Sequence, residues 1–378
     1  MRAYFFFGWL LAAATLSARD YLVFFGTYTN ALSQGIYVSR LDAETGKLTP
    51  PQLAAEVGNP NYVNFSPDGK YLYSSSSVSH PIHPGDGVLS AFAIDKKSGH
   101  LTLLNHESSG GNDPCYVSVD ASGKMLMAAN YDNGSVKSVP IQADGSLGDG
   151  GSFMQNFGHG PNKSRQMGPH AHFIAEDPGH HFALQCDLGT DKVMVYRLTP
   201  DQAALALNDP PFANVPPGSG PRHLAFSRDG RHAYVANEMG CTVTTFDWDA
   251  GQGTLNNGET ISALPAGVSV RPSYTAAEIL VSPDGRFVYV TLRGHDSVSV
   301  FAVDPSTGRL TLVQNVPSEG KVPRGLGIDP TGRWLITGHQ QSNNAVEFAI
   351  DPQTGELTPT GVELKLGSPV DVKFTSAE

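Results

Sequence analysis

Arg222 and Glu238 stand at the two ends of a segment that reads strand, tight turn, strand. Gly220-Pro221-Arg222-His223 opens it, Ser227-Arg228-Asp229-Gly230 turns it, and Asn237-Glu238 closes it. An antiparallel hairpin returns to its starting edge, so the guanidinium and the carboxylate are expected side by side. Opposite charges fixed on rigid strands either hold a scaffold together or do chemistry. A guanidinium stabilises negative charge developing on an oxygen without changing its own protonation state; a carboxylate takes a proton or orients a neighbour. A second cluster, Pro169-His170-Ala171-His172, carries two imidazoles at alternate positions. On a strand these rings share a face, and with Asp187 or Asp191 they would begin a metal site, but no further ligand set has a recognisable spacing. The expectation is no metal and no cofactor. The chain also lacks a phosphate-cradling glycine loop, a serine elbow and a Cys-x-x-Cys pair.

The 378 residues that must hold these groups are 40% aliphatic and aromatic and only 16% charged, with 41 Gly and 27 Pro. Turn-formers at that density, without low-complexity sequence, predict many short strands joined by tight turns. A formal charge of −11 with no cluster of Lys and Arg excludes a surface built for nucleic acid. Residues 1–18 read apart from the rest: Met1-Arg2 is a positive start, Phe5 to Leu16 an apolar run, and Ala18-Arg19-Asp20 a return to polar sequence. The run is short for a bilayer span and fits a secretory signal segment, which predicts an exported protein, periplasmic or secreted, with no other membrane association. Without a functional signal the protein would be cytoplasmic. Residues 19–378 are expected to form a single domain, and a monomer. Cys115, Cys186 and Cys241 are odd in number and lie in or beside predicted strands, so they read as small buried residues.

Internal repetition organises the chain. One turn, apolar–Asp–x–x–Thr/Ser–Gly–x–Leu, begins at Leu41, Ile94, Ile141, Trp248, Val303 and Ile350, with a degraded copy from Leu198, making seven. A second, of the Ser/Asp–Pro–Asp–Gly type, occurs six times, with Gly69, Gly123, Gly179, Gly230, Gly285 and Gly332 spaced 47 to 56 residues apart. Asp initiates such turns and Gly supplies the positive φ, so each joins two antiparallel strands. A four-stranded unit of about fifty residues is a propeller blade. Seven turns of one kind and six of the other predict an all-β, seven-bladed β-propeller with one blade split between the termini. In that blade Ser368–Phe374 is innermost, followed outward by Tyr21–Thr27, Gly35–Leu41 and a short fourth strand. Both repeated turns fall on one face. The opposite rim carries the variable polar loops, where function is usually grafted. Asn130, Tyr131, Asp187, Asn237, Arg324 and Gln340 are candidate substrate contacts by that rim position, while His180, His181 and His223 read as structural.

Six segments carry a resemblance to a known family: PHAH at 169–172, CDLGTDKV from Cys186, GPRHLAF from Gly220, ANEMGCTV from Ala236, AEILVSPDGRFVYVTLRGHDSV from Ala277, and QQS from Gln340. Together they resemble the seven-bladed lactonase family, which includes the propeller-type 6-phosphogluconolactonases and the fungal carboxy-cis,cis-muconate cyclase. The resemblance runs from about Tyr21 to Phe374 in the same order. Gly338-His339-Gln340-Gln341, where an Asn-Gln pair is usual, and the long loop His80 to Asp86 depart from the family pattern. The cyclase branch implies catalytic roles for a histidine (His170 or His172), two arginines (Arg222 and Arg293) and a glutamate (Glu238).

Elementary chemistry agrees with these roles. A lactone carbonyl turning tetrahedral is stabilised by one guanidinium while a second grips a carboxylate or phosphate, and an imidazole suits the proton transfers. The expected function is hydrolysis of an acidic sugar lactone such as 6-phosphogluconolactone. The rivals are a muconate-type cycloisomerase and a non-catalytic binding propeller. An export signal fits an unphosphorylated aldonolactone better than an intracellular phosphate ester.

Overall fold

The computed structural model describes residues 20–378; the signal-segment reading of residues 1–18 lies outside them. Seven four-stranded antiparallel sheets stand side by side. In the closing blade Pro369–Ser376 is innermost, followed outward by Asp20–Thr27, Gly35–Asp42 and Gln52–Glu56, the order expected from the turn count. Tyr21 pairs with Ser376 and Phe25 with Val372, so the two ends of the chain zip together along one register. Val23, Phe24 and Phe25 are fully buried there, each contributing about 1.5–3 kcal/mol to the closure.

Second strands of blades are covered on both faces by neighbouring blades. Met125–Asn130, Phe182–Asp187 and His232–Asn237 are accordingly buried at every position, and their sequences run apolar rather than alternating. Outer strands such as Leu101–Ser108 are half-buried, with only Leu101 fully covered. Among the described residues no helix is long and apolar enough to cross a membrane. All three cysteines are buried and unpaired.

One irregularity recurs and matters for function. Where each inner strand meets its second strand, the register slips near the start of the inner strand: between Pro60 and Tyr62, Pro114 and Tyr116, Ala171 and Phe173, Pro221 and His223, Ala276 and Ile279, and Pro323 and Gly325. The closing blade slips opposite Gly26 and Thr27. A bulge leaves a residue unpaired and re-aims its side chain. The skipped residues include Cys115, His172, Arg222 and Arg324.

Candidate active site

Glu238 follows the second strand of the fifth blade, and its backbone is held from two sides. Its N–H donates to Gly220 O at 2.7 Å, and its carbonyl accepts from Ala276 N at 3.0 Å. Gly220 in turn donates to Asp191 Oδ1 at 2.8 Å. The carboxylate is thereby presented, 4% exposed, to three guanidiniums. Arg165 Nη2 donates to Oε1 at 2.5 Å, while Arg293 Nη2 and Arg222 Nε lie 2.8 and 3.2 Å from Oε2. Arg222 is further pinned by donating Nη1 to Ala277 O at 2.7 Å, and Arg293 by donating Nη2 to Ala276 O at 3.2 Å. A fourth guanidinium, Arg324, lies over the Tyr28 ring. Arg165, Glu238, Arg293 and Arg324, together with Tyr28, Asp113, Cys115, Tyr131 and His172, line a cavity of about 190 Å³; Arg222 is buried in contact with Glu238 just outside that lining.

The electrostatics follow from that packing. Burial alone would raise the Glu238 carboxyl, but Arg293 and Arg222, with His172 and Arg165, hold it far below the usual carboxylate range. It is therefore an anchor that fixes guanidinium positions, and a poor proton acceptor. Burial, reinforced by neighbouring positive charge, lowers both Arg222 and His172. Arg222 drops to about 10, through burial and then Arg324 and Arg293, and stays cationic at neutral pH. His172 is pushed well below 6.5 by burial and then by Arg222, so its imidazole is neutral at pH 7 with a lone pair unoccupied by a proton. Cys115 Sγ lies 3.7 Å from His172 Nδ1; burial pushes that thiol up, away from a thiolate nucleophile.

Of the residues singled out from sequence, Arg222, Glu238, Arg293, His172, Tyr131 and Arg324 meet here. His170 does not line the cavity: its ring stacks on Tyr131 at 4.5 Å and its Nδ1 lies 2.9 Å from Tyr131 O, so it backs the tyrosine from behind. Three others hold loop corners. Asp187 accepts from His170 N, Gly189 N and Asn156 Nδ2. Asn130 donates to Ser109 O and Ser135 Oγ, and Asn237 to Thr242 and Thr244. Gln340 lies outside the cavity lining, its carbonyl accepting from Ser368 Oγ. His223 sits beneath the cavity, with Nδ1 2.7 Å from Glu278 Oε1 and its ring edge-on to Tyr116 and near His172. Among the described residues no three His, Cys, Asp or Glu side chains converge as metal ligands.

Sequence reasoning passed over Arg165, Tyr28, Asp113 and Cys115. Arg165 had a signal: it lies in the longest crossover between blades, 156–170, a basic residue on the variable rim of an acidic chain. Cys115 and Tyr28 had none, because only the bulge register and the ring closure bring them to the mouth.

A family model for lactonases with a seven-bladed beta-propeller matches residues 22–374. The chain is similar to the 6-phosphogluconolactonase of Bacillus subtilis, with 39% identity over 310 residues, 82% of this chain and 85% of that protein. It is also similar to that of Formosa agariphila, with 32% identity over 317 residues, 82% and 86% of the two chains. Among solved structures, the periplasmic gluconolactonase PpgL of Pseudomonas aeruginosa matches with a TM-score of 0.88 at 35% identity, covering 95% of this chain and all of that one (100%).

Proposed function

The chain belongs to the seven-bladed β-propeller lactonase family, and from that footing we propose that it opens an acidic sugar lactone, 6-phosphogluconolactone in the first instance, at the mouth formed by His172, Arg222, Glu238 and Arg293. The observation that carries this reading is the buried carboxylate ringed by three guanidiniums with a fourth beside it. Two carboxylates, Glu238 and Asp113, against four guanidiniums leave that cluster with cationic surplus, suited to an anionic substrate and to the oxyanion its carbonyl becomes.

In this mechanism neutral His172 takes a proton from water as the oxygen attacks the lactone carbonyl carbon. The carbonyl oxygen gains the negative charge and faces Arg222 and Arg293. Collapse of the tetrahedral species breaks the bond to the ring oxygen, which recovers the proton from His172, leaving the open-chain hydroxy acid. Glu238 keeps both arginines in place throughout; prepositioned charges need no reorganisation when the barrier is crossed.

The periplasmic gluconolactonase of Pseudomonas aeruginosa, together with the apolar run Phe5 to Leu16, favours a second reading in which the protein is exported and opens an unphosphorylated aldonolactone. Proton release on gluconolactone and on its 6-phosphate, followed by pH-stat, decides between the two; a muconolactone assay tests the cycloisomerase. Arg222→Ala and Glu238→Ala are each expected to abolish most of the turnover. Unchanged rates in both variants would overturn the assignment of this mouth as the active site.

A further inference from the structure

Two of the crossovers between blades are much longer than the rest, 156–170 and 263–274. Both lead to the same place. An open groove of about 540 Å³ is lined by Ser164 and Arg165 from the first crossover, Arg271 and Tyr274 from the second, and Met239, the residue next to Glu238. Arg165 lines this groove and the inner cavity alike. Its Nη2 is committed to Glu238 and Tyr131. Among the described residues its Nε and Nη1 have no acceptor, although the side chain is 38% exposed. Arg271 is exposed, lies 5.4 Å from the Tyr274 ring centroid, and pairs with no carboxylate among the described residues. No acidic side chain lines the groove. In a chain with 36 acids against 25 bases, Arg271 is left without a counter-charge beside an Arg165 whose one carboxylate, Glu238, is also held by two further arginines; the groove has room and charge for an anion from outside.

We propose that this groove is the subsite for a phosphate group on the exocyclic end of the substrate, with Arg271 as its anchoring residue and Arg165 as the link to the chemistry. The proposal rests on the lactonase reading of the inner cavity. At about 190 Å³ that cavity is the smaller chamber, so a substrate larger than its ring extends past Arg165 into the groove. A guanidinium fork matches phosphate oxygens in pairs, which Arg271 can supply, while Arg165, its Nη2 held by Glu238 and Tyr131, keeps Nη1 for a single hydrogen bond to the ligand. Phosphate held on the outer edge of Arg165 draws the substrate's ring toward the arginines that meet the carbonyl. The groove thus makes the enzyme's choice between a phosphorylated and an unphosphorylated lactone a matter of two surface loops.

Calorimetric titration of the purified protein with 6-phosphogluconate, gluconate, glucarate and inorganic phosphate tests this. The wild type is expected to bind 6-phosphogluconate at least tenfold tighter than gluconate, with phosphate alone competing. Arg271→Ala should bring that ratio to within threefold of unity, and Arg271→Lys should restore part of it, since lysine keeps the charge and loses the fork. A wild-type ratio near unity, or a ratio untouched by Arg271→Ala, overturns the subsite. Glucarate binding as tightly as 6-phosphogluconate overturns its assignment to phosphate. Titration reads binding without turnover. A protein that opens neither lactone but keeps the Arg271-dependent ratio loses the activity reading and retains the subsite.

Discussion

The two rims of the disc use the same residue types for opposite ends. On the rim of repeated turns, carboxylates serve the backbone. Asp351 Oδ1 accepts from Gln353 N and Thr354 N, and Asp304 Oδ1 accepts from Ser306 N and Thr307 N. Asp329 accepts from Thr331, Arg333 and Trp334. Arginines there pair with the turn's own aspartate, Arg286 Nε with Asp284 Oδ2 at 2.7 Å and Arg231 Nε with Asp229 Oδ2 at 2.7 Å. These charges are satisfied within their own turns. On the opposite rim, Glu238 collects three arginines from three different elements, and Arg324 and Arg271 have no carboxylate of their own among the described salt bridges.

The strongest way to break that contrast is Glu238→Gln. Removing the central charge is expected to lower kcat/KM by about 10²–10³-fold, measured on gluconolactone and its 6-phosphate. It should also destabilise the fold by about 3–5 kcal/mol in urea titration, because buried Arg222 and Arg293 lose their partner. Activity within threefold of wild type would mean that the arginine cluster is scaffold after all. Next in size is Asp329→Ala on the repeated-turn rim. Its carboxylate accepts from Thr331 N, Thr331 Oγ1, Arg333 N and Trp334 N. With each hydrogen bond worth about 0.5–1.5 kcal/mol net, a loss of about 2–6 kcal/mol is expected, with kcat/KM unchanged. A fall in kcat/KM larger than twofold would join the two rims functionally.

The pH profile sharpens the comparison further. His172 titrates well below 6.5, so if it takes the proton from water, kcat/KM stays on its plateau through pH 6.5 and the acid limb falls only beneath it. An acid limb centred at or above pH 6.5 excludes His172 from that role. The same depression makes neutral His172 contribute stability that is complete above its unfolded value near 6.5 and declines as pH falls toward its folded value. His172→Asn should flatten that part of a plot of stability against pH. The smallest effect belongs to Asp351→Ala. Backbone N–H groups of Thr354 and Gln353 lower this carboxyl, so its contribution is full at neutral pH and is lost as pH falls below about 4. The variant should show a small drop in Tm at pH 7 that disappears in acid.

Sequence alone determined the architecture, because each blade repeats a turn whose Asp and Gly have local jobs. Gly308, at φ 66°, shows why: a Cβ there would stand 2.4 Å from the His232 ring. Counting seven turns of one kind against six of the other then placed the termini in one blade. The Arg222–Glu238 pair was legible for the same reason, as both belong to one hairpin. What the sequence could not rank was the rim. Asn130, Asp187 and Asn237 look as polar as Arg324, but their hydrogen bonds run into their own loop corners. Cys115, Tyr28 and Arg165 reach the mouth only through a bulged register, the closure of the ring and a long crossover. Those are contacts between residues far apart in the chain. Periodicity reports which face a side chain takes within its strand, and only the assembled disc decides which strands' faces share a centre.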